Sequence, residues 1–336
     1  MNPKINSHPV VRDFFWLTRY TNPYGTEAKR FSTLLSDLGA RKDDHGNFIL
    51  DVGESRTVFA SHLDTASYTK MQRVRRVVDG DLIKSDGKTI LGADDRAGIA
   101  VMLHLIRNEV PGRYVFFVGE ERGRIGSEKS ARKDADMWRG KYDRMIMWDR
   151  YGMNSIITHQ MGTQSASDTF AETLAAMYTG ASSQLEAQLP SIYLKPDDNG
   201  MYTDSYSFID LIPECTNISV GYMSQHTTAE QQDARFLIAM AETSVQIAWE
   251  DLPTAIDINH REEEWDTHYM PRYGAKAPKN LNSFSPYTII NDTLDDVIEA
   301  AVYGTLTRSD VREFILQSPE DASELLYDYL TGGIPW

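Results

Sequence analysis

Four short strand-like runs in this chain each stop at a residue able to hold a metal, and no other feature of the sequence constrains the fold as much. Residues 57–61 run into His62-Leu63-Asp64-Thr65, and residues 114–118 run into Gly119-Glu120-Glu121-Arg122-Gly123. Residues 144–148 stop at Asp149, and residues 217–221 lead through Tyr222 to His226. The first run is rich in β-branched and aromatic residues, and the second is continuously apolar, as a strand buried in a parallel sheet is. Open α/β sheets carry their ligand sites at the carboxyl ends of their strands. Core packing gives no reason for four strand ends to stop at His, Asp or Glu.

Residues 86–106 supply a further pair of carboxylates. Asp86-Gly87 is a turn signal, 89–91 is β-prone, and the stretch from Arg96 has helical apolar spacing at Ile99, Met102, Leu103 and Ile106. Asp94-Asp95 therefore sits at a strand-to-helix junction. A lone Asp there is ordinarily an N-cap. Two in succession after Gly92-Ala93, with Gly98 letting another backbone come close, point to a cation-binding site. Residues 74–91 read as a β-hairpin turning at Asp79-Gly80 and again at Asp86-Gly87.

The other motifs suit the same chemistry. In an extended chain His62 and Asp64 point to one side, which suits a metal-bound imidazole whose other ring nitrogen, or whose metal, is steered by the carboxylate. Of the glycine-flanked pair Glu120-Glu121, one can ligate a metal while the other acts as general base. The single cysteine, Cys215, excludes an intramolecular disulfide and a cysteine-based zinc site, so any metal must be held by His, Asp and Glu. A formal net charge of −15 argues against a nucleic-acid partner. No apolar run approaches the roughly 20 residues that span a bilayer, and the N-terminus lacks a signal-peptide pattern, so a cytoplasmic protein without a membrane partner is expected.

The order His62-x-Asp64, Gly92-Ala93-Asp94-Asp95, Glu120-Glu121, Asp149 and His226 resembles the co-catalytic di-zinc exopeptidase superfamily, which includes peptidase T, zinc aminopeptidases and glutamate carboxypeptidases. Residues 85–100 and 61–65 are especially similar to peptidase T, and the likeness spans about residues 10–250. It implies an α/β fold, a three-layer α/β/α arrangement around a mixed, mainly parallel central sheet. It further implies that His62 binds one of two divalent metal ions, Asp94 bridges both, Glu121 binds one, Asp149 the other, and His226 completes the second pair. Asp64 would orient His62, and Glu120 would be the general base acting on a metal-bridging water. Zinc is the family default, while the ligand types also accept Mn²⁺ or Co²⁺. A cis peptide between Asp94 and Asp95 is a further implication, and Thr203 and Asp204 fall in a segment that closes the pocket as structural helpers.

One departure matters. Peptidase T carries a lid or dimerisation domain between the fourth and fifth ligands, whereas here Asp149 and His226 are 77 positions apart, room for about two strand-helix connections. The expected organisation is a catalytic domain over 1–251 without a lid, an extended segment over 252–292, and a small helical extension over 293–336. The last could serve oligomerisation or pack back on the domain. The function expected is hydrolysis of short peptides by an aminopeptidase or di/tripeptidase. A deacylase acting on other small amides and a non-catalytic binding protein are the alternatives. His104 and His159 read as packing or surface histidines, Cys215 as a buried small apolar residue, Trp148 as core or pocket wall. Tyr193, Tyr202 and Tyr222 are either pocket lining or loop packing.

Overall fold

The computed structural model describes residues 3–67 and 70–259. The expected helices of 293–336, and the segment 252–292 from residue 260 onward, lie outside the described residues. Eight strands form the main sheet, in the spatial order Arg41–Lys42, Phe48–Val52, Gly112–Phe117, Thr57–His62, Arg144–Arg150, Glu214–Ser219, Ser155–Ile157, Lys195–Asp197. Its four central members, from Gly112–Phe117 to Glu214–Ser219, are mutually parallel, so their carboxyl ends share one edge. The flanking pairings of Phe48–Val52 with Gly112–Phe117 and of Ser155–Ile157 with Glu214–Ser219 are antiparallel. The sheet is thus mixed and mainly parallel at its centre, as expected.

Side chains alternate between the two faces, as pleating requires. Phe59, Tyr114, Phe116, Ile146 and Trp148 face one layer of helices, Pro9–Leu17, Ala93–Arg107, Asp168–Ser182 and Ala234–Gln246. Val58, Ala60, Val115, Phe117, Met145 and Met147 face the opposite layer, where Ala131, Trp138, Phe208 and Ile212 pack. Trp148 is core and not pocket wall: it stacks 5.7 Å from Phe59, and its indole N–H donates to the Tyr178 hydroxyl. Cys215 is buried in the second layer, as expected.

The central helix Ala93–Arg107 is buried at every residue from Ala93 to Leu105, which is why its sequence is apolar around most of its circumference. Asp94 and Asp95 have non-helical backbone angles, so regular helix begins at Arg96, where the periodicity starts. The peptide between Asp94 and Asp95 is cis. Arg96 is buried. It donates to Leu63 O at 2.7 Å and to Asn22 Oδ1 at 3.1 Å, and its guanidinium lies over the Phe31 ring, tying the helix to the chain just beyond His62.

The first long helix stops at Leu17. Thr18 Oγ1 bonds back to Phe14 O, and Tyr20 bridges to Arg73, so pairing with a distant segment draws the chain out of the helix. The hairpin forms as expected, Arg76–Asp79 with Leu82–Ser85, but it does not join the main sheet. It pairs with Gln231–Asp233, which pairs with Tyr222–Met223, in a separate four-stranded sheet. This places the loop carrying His226 beside the start of the central helix. Between Asp149 and His226 the strands Ser155–Ile157, Lys195–Asp197 and Glu214–Ser219 all enter the main sheet. The described start of the 252–292 segment is hydrogen-bonded to the domain: Leu252 O accepts from Arg144, and Glu214 accepts from the Ala255 amide. No described helix is long and apolar enough to cross a membrane.

Candidate metal centre

Three of the four parallel strands, Thr57–His62, Gly112–Phe117 and Arg144–Arg150, bring His62, Asp64, Glu120, Glu121 and Asp149 to one edge of the sheet. The cis-linked Asp94-Asp95 pair and the His226 loop reach in from the side. Asp94 sits at the centre. Its Oδ1 is 3.0 Å from His62 Nε2 and its Oδ2 is 3.1 Å from His226 Nε2, so one carboxylate faces two imidazoles with a different oxygen each. His62 Nε2 is also 3.7 Å from Asp149 Oδ1, and His226 Nε2 is 3.2 Å from Glu121 Oε1. Among the described residues three overlapping groups are close enough to hold a cation: Asp94, Glu121 and His226; His62, Asp95 and Asp149; and His62, Glu120 and Glu121; Asp94 also lies 3.0 Å from His62.

Neighbouring residues fix these groups. Asp64 is fully buried; its Oδ1 accepts the Glu120 amide at 3.0 Å and its Oδ2 the Glu121 amide at 3.1 Å, while His62 Nδ1 lies 3.5 Å from Oδ1. Besides facing His62, Asp64 therefore holds the backbone of both glutamates, which sit on a 3-10 turn. Gly119, with φ +71°, starts that turn; a side chain there would run into the Tyr24 ring. Asp95 comes close to His62 and Asp149, but its oxygens accept the amides of His62 and Gly98. What packs against Gly98 is the Asp95 carboxylate and the Ser61 hydroxyl, not another backbone: a Cβ there would fall 2.5 Å from Asp95 Oδ1.

Glu230 was not read from the sequence, and Tyr222 and Asp95, singled out there as a pocket or loop residue and as half of an acidic pair, take parts the sequence did not show. Tyr222 is buried and donates its hydroxyl to Asp149 Oδ1 at 3.2 Å; burial and the charges of Asp94 and Asp149 keep it a phenol. Glu230 accepts the Gly92 and Asp94 amides, and Asp95 has the backbone role just described. The one sequence signal for Glu230 is a carboxylate four positions after His226 in a short loop. Thr203 and Asp204 are tied into the scaffold, Thr203 to Asn217 and Asp204 to Ser127. His104 pairs with Glu242 and His159 with Thr158, and neither enters the metal-capable groups found among the described residues. Tyr193 and Tyr202 are exposed, and Tyr202 packs against Tyr206.

The electrostatics are those of crowded carboxylates. Burial pushes Glu120 well above the ordinary glutamate value, against the pull of His62 and with Asp149, Asp204 and Glu121 adding. Burial and the Asp94 charge push Asp149 up to about 7. Burial alone would raise Asp94 too, but hydrogen bonds from His226 and His62 outweigh it and hold that carboxyl below the ordinary range. The contacts of His226 with Asp94 and Glu121 raise its imidazole to about 11. His62 Nδ1 and Glu121 Oε1 are buried without a hydrogen-bond partner. Unpartnered donor atoms, excess negative charge and an all N/O donor set fit divalent cations of the Zn²⁺, Mn²⁺ or Co²⁺ kind.

The family model for peptidase family M28 matches residues 47–247, which contain all the site residues just described except Tyr24. The Bacillus subtilis (strain 168) protein YqjE is 33% identical over 148 residues, 37% of this chain and 39% of that protein, so the match spans about two fifths of the relative's length. Among solved structures, the aminopeptidase PepT of Bacillus cereus ATCC 10987 is similar over 70% of this chain and 96% of its own, with TM-score 0.55 and 19% identity. A tripeptidase of Staphylococcus aureus subsp. aureus mu50 is similar over 71% and 96%, with TM-score 0.56 and 16% identity. The Pyrococcus horikoshii TET1 peptidase, which can assemble into a tetrahedron or a large octahedral shell, is similar over 70% and 98%, with TM-score 0.53 and 14% identity. At these identities the solved structures establish the shared fold.

Proposed function

Since this chain belongs to peptidase family M28, we propose that it is a two-metal exopeptidase that cleaves short peptides as an aminopeptidase or di/tripeptidase. The observation that carries this reading is Asp94, which presents one oxygen to His62 and the other to His226. A carboxylate so placed is suited to bridging two cations. In this reading His62, Asp149 and Asp94 hold one, and Asp94, Glu121 and His226 hold the other, zinc being the family default.

The bound cations would supply Lewis acidity to the attacking water and to the scissile carbonyl. The remaining work falls to the chain. Glu120 is aimed by the Asp64 hydrogen bond to its amide, and although its carboxylate lies within metal-binding reach of His62 and Glu121, this reading gives it the part of base and not of ligand. Positive charge in the site would lower the Glu120 carboxyl from its raised value, leaving a carboxylate able to take the water's proton and return it to the leaving amine. Tyr222 holds Asp149 in orientation through its hydroxyl, and Asp64 keeps the two glutamates in fixed register.

The test is metal analysis of the purified protein, with hydrolysis of aminoacyl, di- and tripeptide and N-acyl amino acid substrates in the presence of Zn²⁺, Mn²⁺ or Co²⁺. About two cations per chain with cleavage from a free N-terminus is the expected result. Activity confined to N-acyl compounds would make the protein a deacylase. Failure to bind a cation under any condition would overturn the ligand assignment and leave a binding protein.

A further inference from the structure

The least protected member of the site is His226, whose side chain is 51% exposed and whose backbone lies in the left-handed region at φ +61°. Packing does not hold it. It sits in the seven-residue loop between Tyr222–Met223 and Gln231–Asp233, whose pairing places Met223 opposite Gln231. Within that loop Thr227 Oγ1 donates to Ser224 O, and the Glu230 amide donates to Thr227 O, so the loop is rigid in itself. Rigidity within a loop does not set its distance from the rest of the site.

Glu230 sets it. The residue closes the loop, is 1% exposed, and turns its carboxylate into the start of the central helix. Oε2 accepts the Gly92 amide at 2.7 Å and Oε1 the Asp94 amide at 3.1 Å. Gly92 adopts φ +73° and offers no side-chain cap of its own, so the carboxylate that satisfies the amides of the turn leading into the helix comes from a residue 138 positions away. The same side chain therefore grips the backbone of Asp94 and the loop of His226. In the structure His226 Nε2 also touches Asp94 Oδ2 directly. A cation seated among Asp94, Glu121 and His226 would replace that direct contact, and Glu230 would then be the remaining link from the loop to the backbone of Asp94 at that end. Tyr222 plays the matching part at the loop's other end, through Asp149.

We propose that Glu230 is a positioning residue for the second cation subsite, holding His226 at the spacing from Asp94 and Glu121 that this subsite needs without itself touching metal or substrate. The proposal rests on the two-metal reading above. It makes Glu230 selective: its loss should loosen one cation and spare the one held by His62 and Asp149.

The test is a Co²⁺ and Zn²⁺ titration of full-length protein by calorimetry and visible absorption. Wild type is compared with Glu230→Gln, Glu230→Asp, and His226→Ala as the reference for loss of the second subsite. Glu230→Gln keeps one acceptor but turns an NH₂ toward an amide N–H, and should weaken the second cation about 10- to 100-fold while leaving the first within about twofold. Its Co²⁺ spectrum should resemble that of His226→Ala. Glu230→Asp keeps the charge with a shorter reach and should fall between. Equal weakening of both cations, together with a lower melting temperature of the metal-free protein, would reduce Glu230 to a general structural residue and overturn the proposal; so would unchanged binding of both. Wild-type protein that binds no cation would instead sink the two-metal reading itself, which the variants do not decide.

Discussion

Asp64 Oδ1 accepts the main-chain N–H of Glu120 at 3.0 Å, across 56 positions of sequence, while its other oxygen takes the Glu121 amide. The carboxylate next to a candidate ligand histidine thus also sets the register of the next strand's glutamates. Replacing Asp64 by Ala frees both amides and should lower kcat about 10- to 100-fold, with weaker metal binding. Asp64→Asn, which keeps one acceptor oxygen, should lose less. Steady-state kinetics on the best peptide substrate, at saturating metal, checks this.

Glu120→Gln keeps the shape of the side chain and removes its ability to accept a proton. Turnover is expected to fall about 10²- to 10⁴-fold with metal content and thermal midpoint unchanged. Retained turnover would remove Glu120 from its assigned role.

Gly98→Ala is expected to be damaging although it sits in a helix, where Ala is normally favoured. The added Cβ would meet Asp95 Oδ1 at 2.5 Å and Ser61 Oγ at 2.6 Å, and Asp95 in turn holds the His62 amide. The overpacking should destabilise the domain by about 1–3 kcal/mol in denaturant titration. Weaker metal binding should accompany it, because the displaced carboxylate carries the His62 backbone with it.

Far from the metal centre, Glu242 Oε1 faces His104 Nε2 at 3.1 Å and His8 Nε2 at 3.2 Å, joining three helical segments. Hydrogen bonds from His104 and His8 hold the Glu242 carboxyl down at about 2, against an ordinary value of 4.5. A depressed acid contributes stability that is complete above its unfolded value and is lost as pH falls through the folded one. Melting temperatures measured between pH 5 and about 2 should therefore fall less steeply for Glu242→Gln than for wild type. Parallel acid limbs for the two proteins would show that Glu242 does not contribute.

The local sequence determined the elements and which polar side chains stand at their ends. Alternating and continuous apolar runs marked the four central strands, because a strand buried on both faces must be apolar wherever its side chains point. The residues just past those runs were legible as His62, Glu120, Glu121 and Asp149, since an abrupt switch from apolar to ligating residues is itself a local pattern. Which oxygen meets which imidazole was decided only by the tertiary structure, as were the Asp64 grip on the two glutamate amides, the Tyr222 hydroxyl on Asp149, and the Glu230 carboxylate on the helix start. Each of those contacts joins residues 32 to 138 positions apart. Their formation depends on how strands are ordered across a sheet and how a separate hairpin docks beside it. Periodicity reports which face of an element is buried; it carries no information about which distant main-chain amide a buried carboxylate will meet.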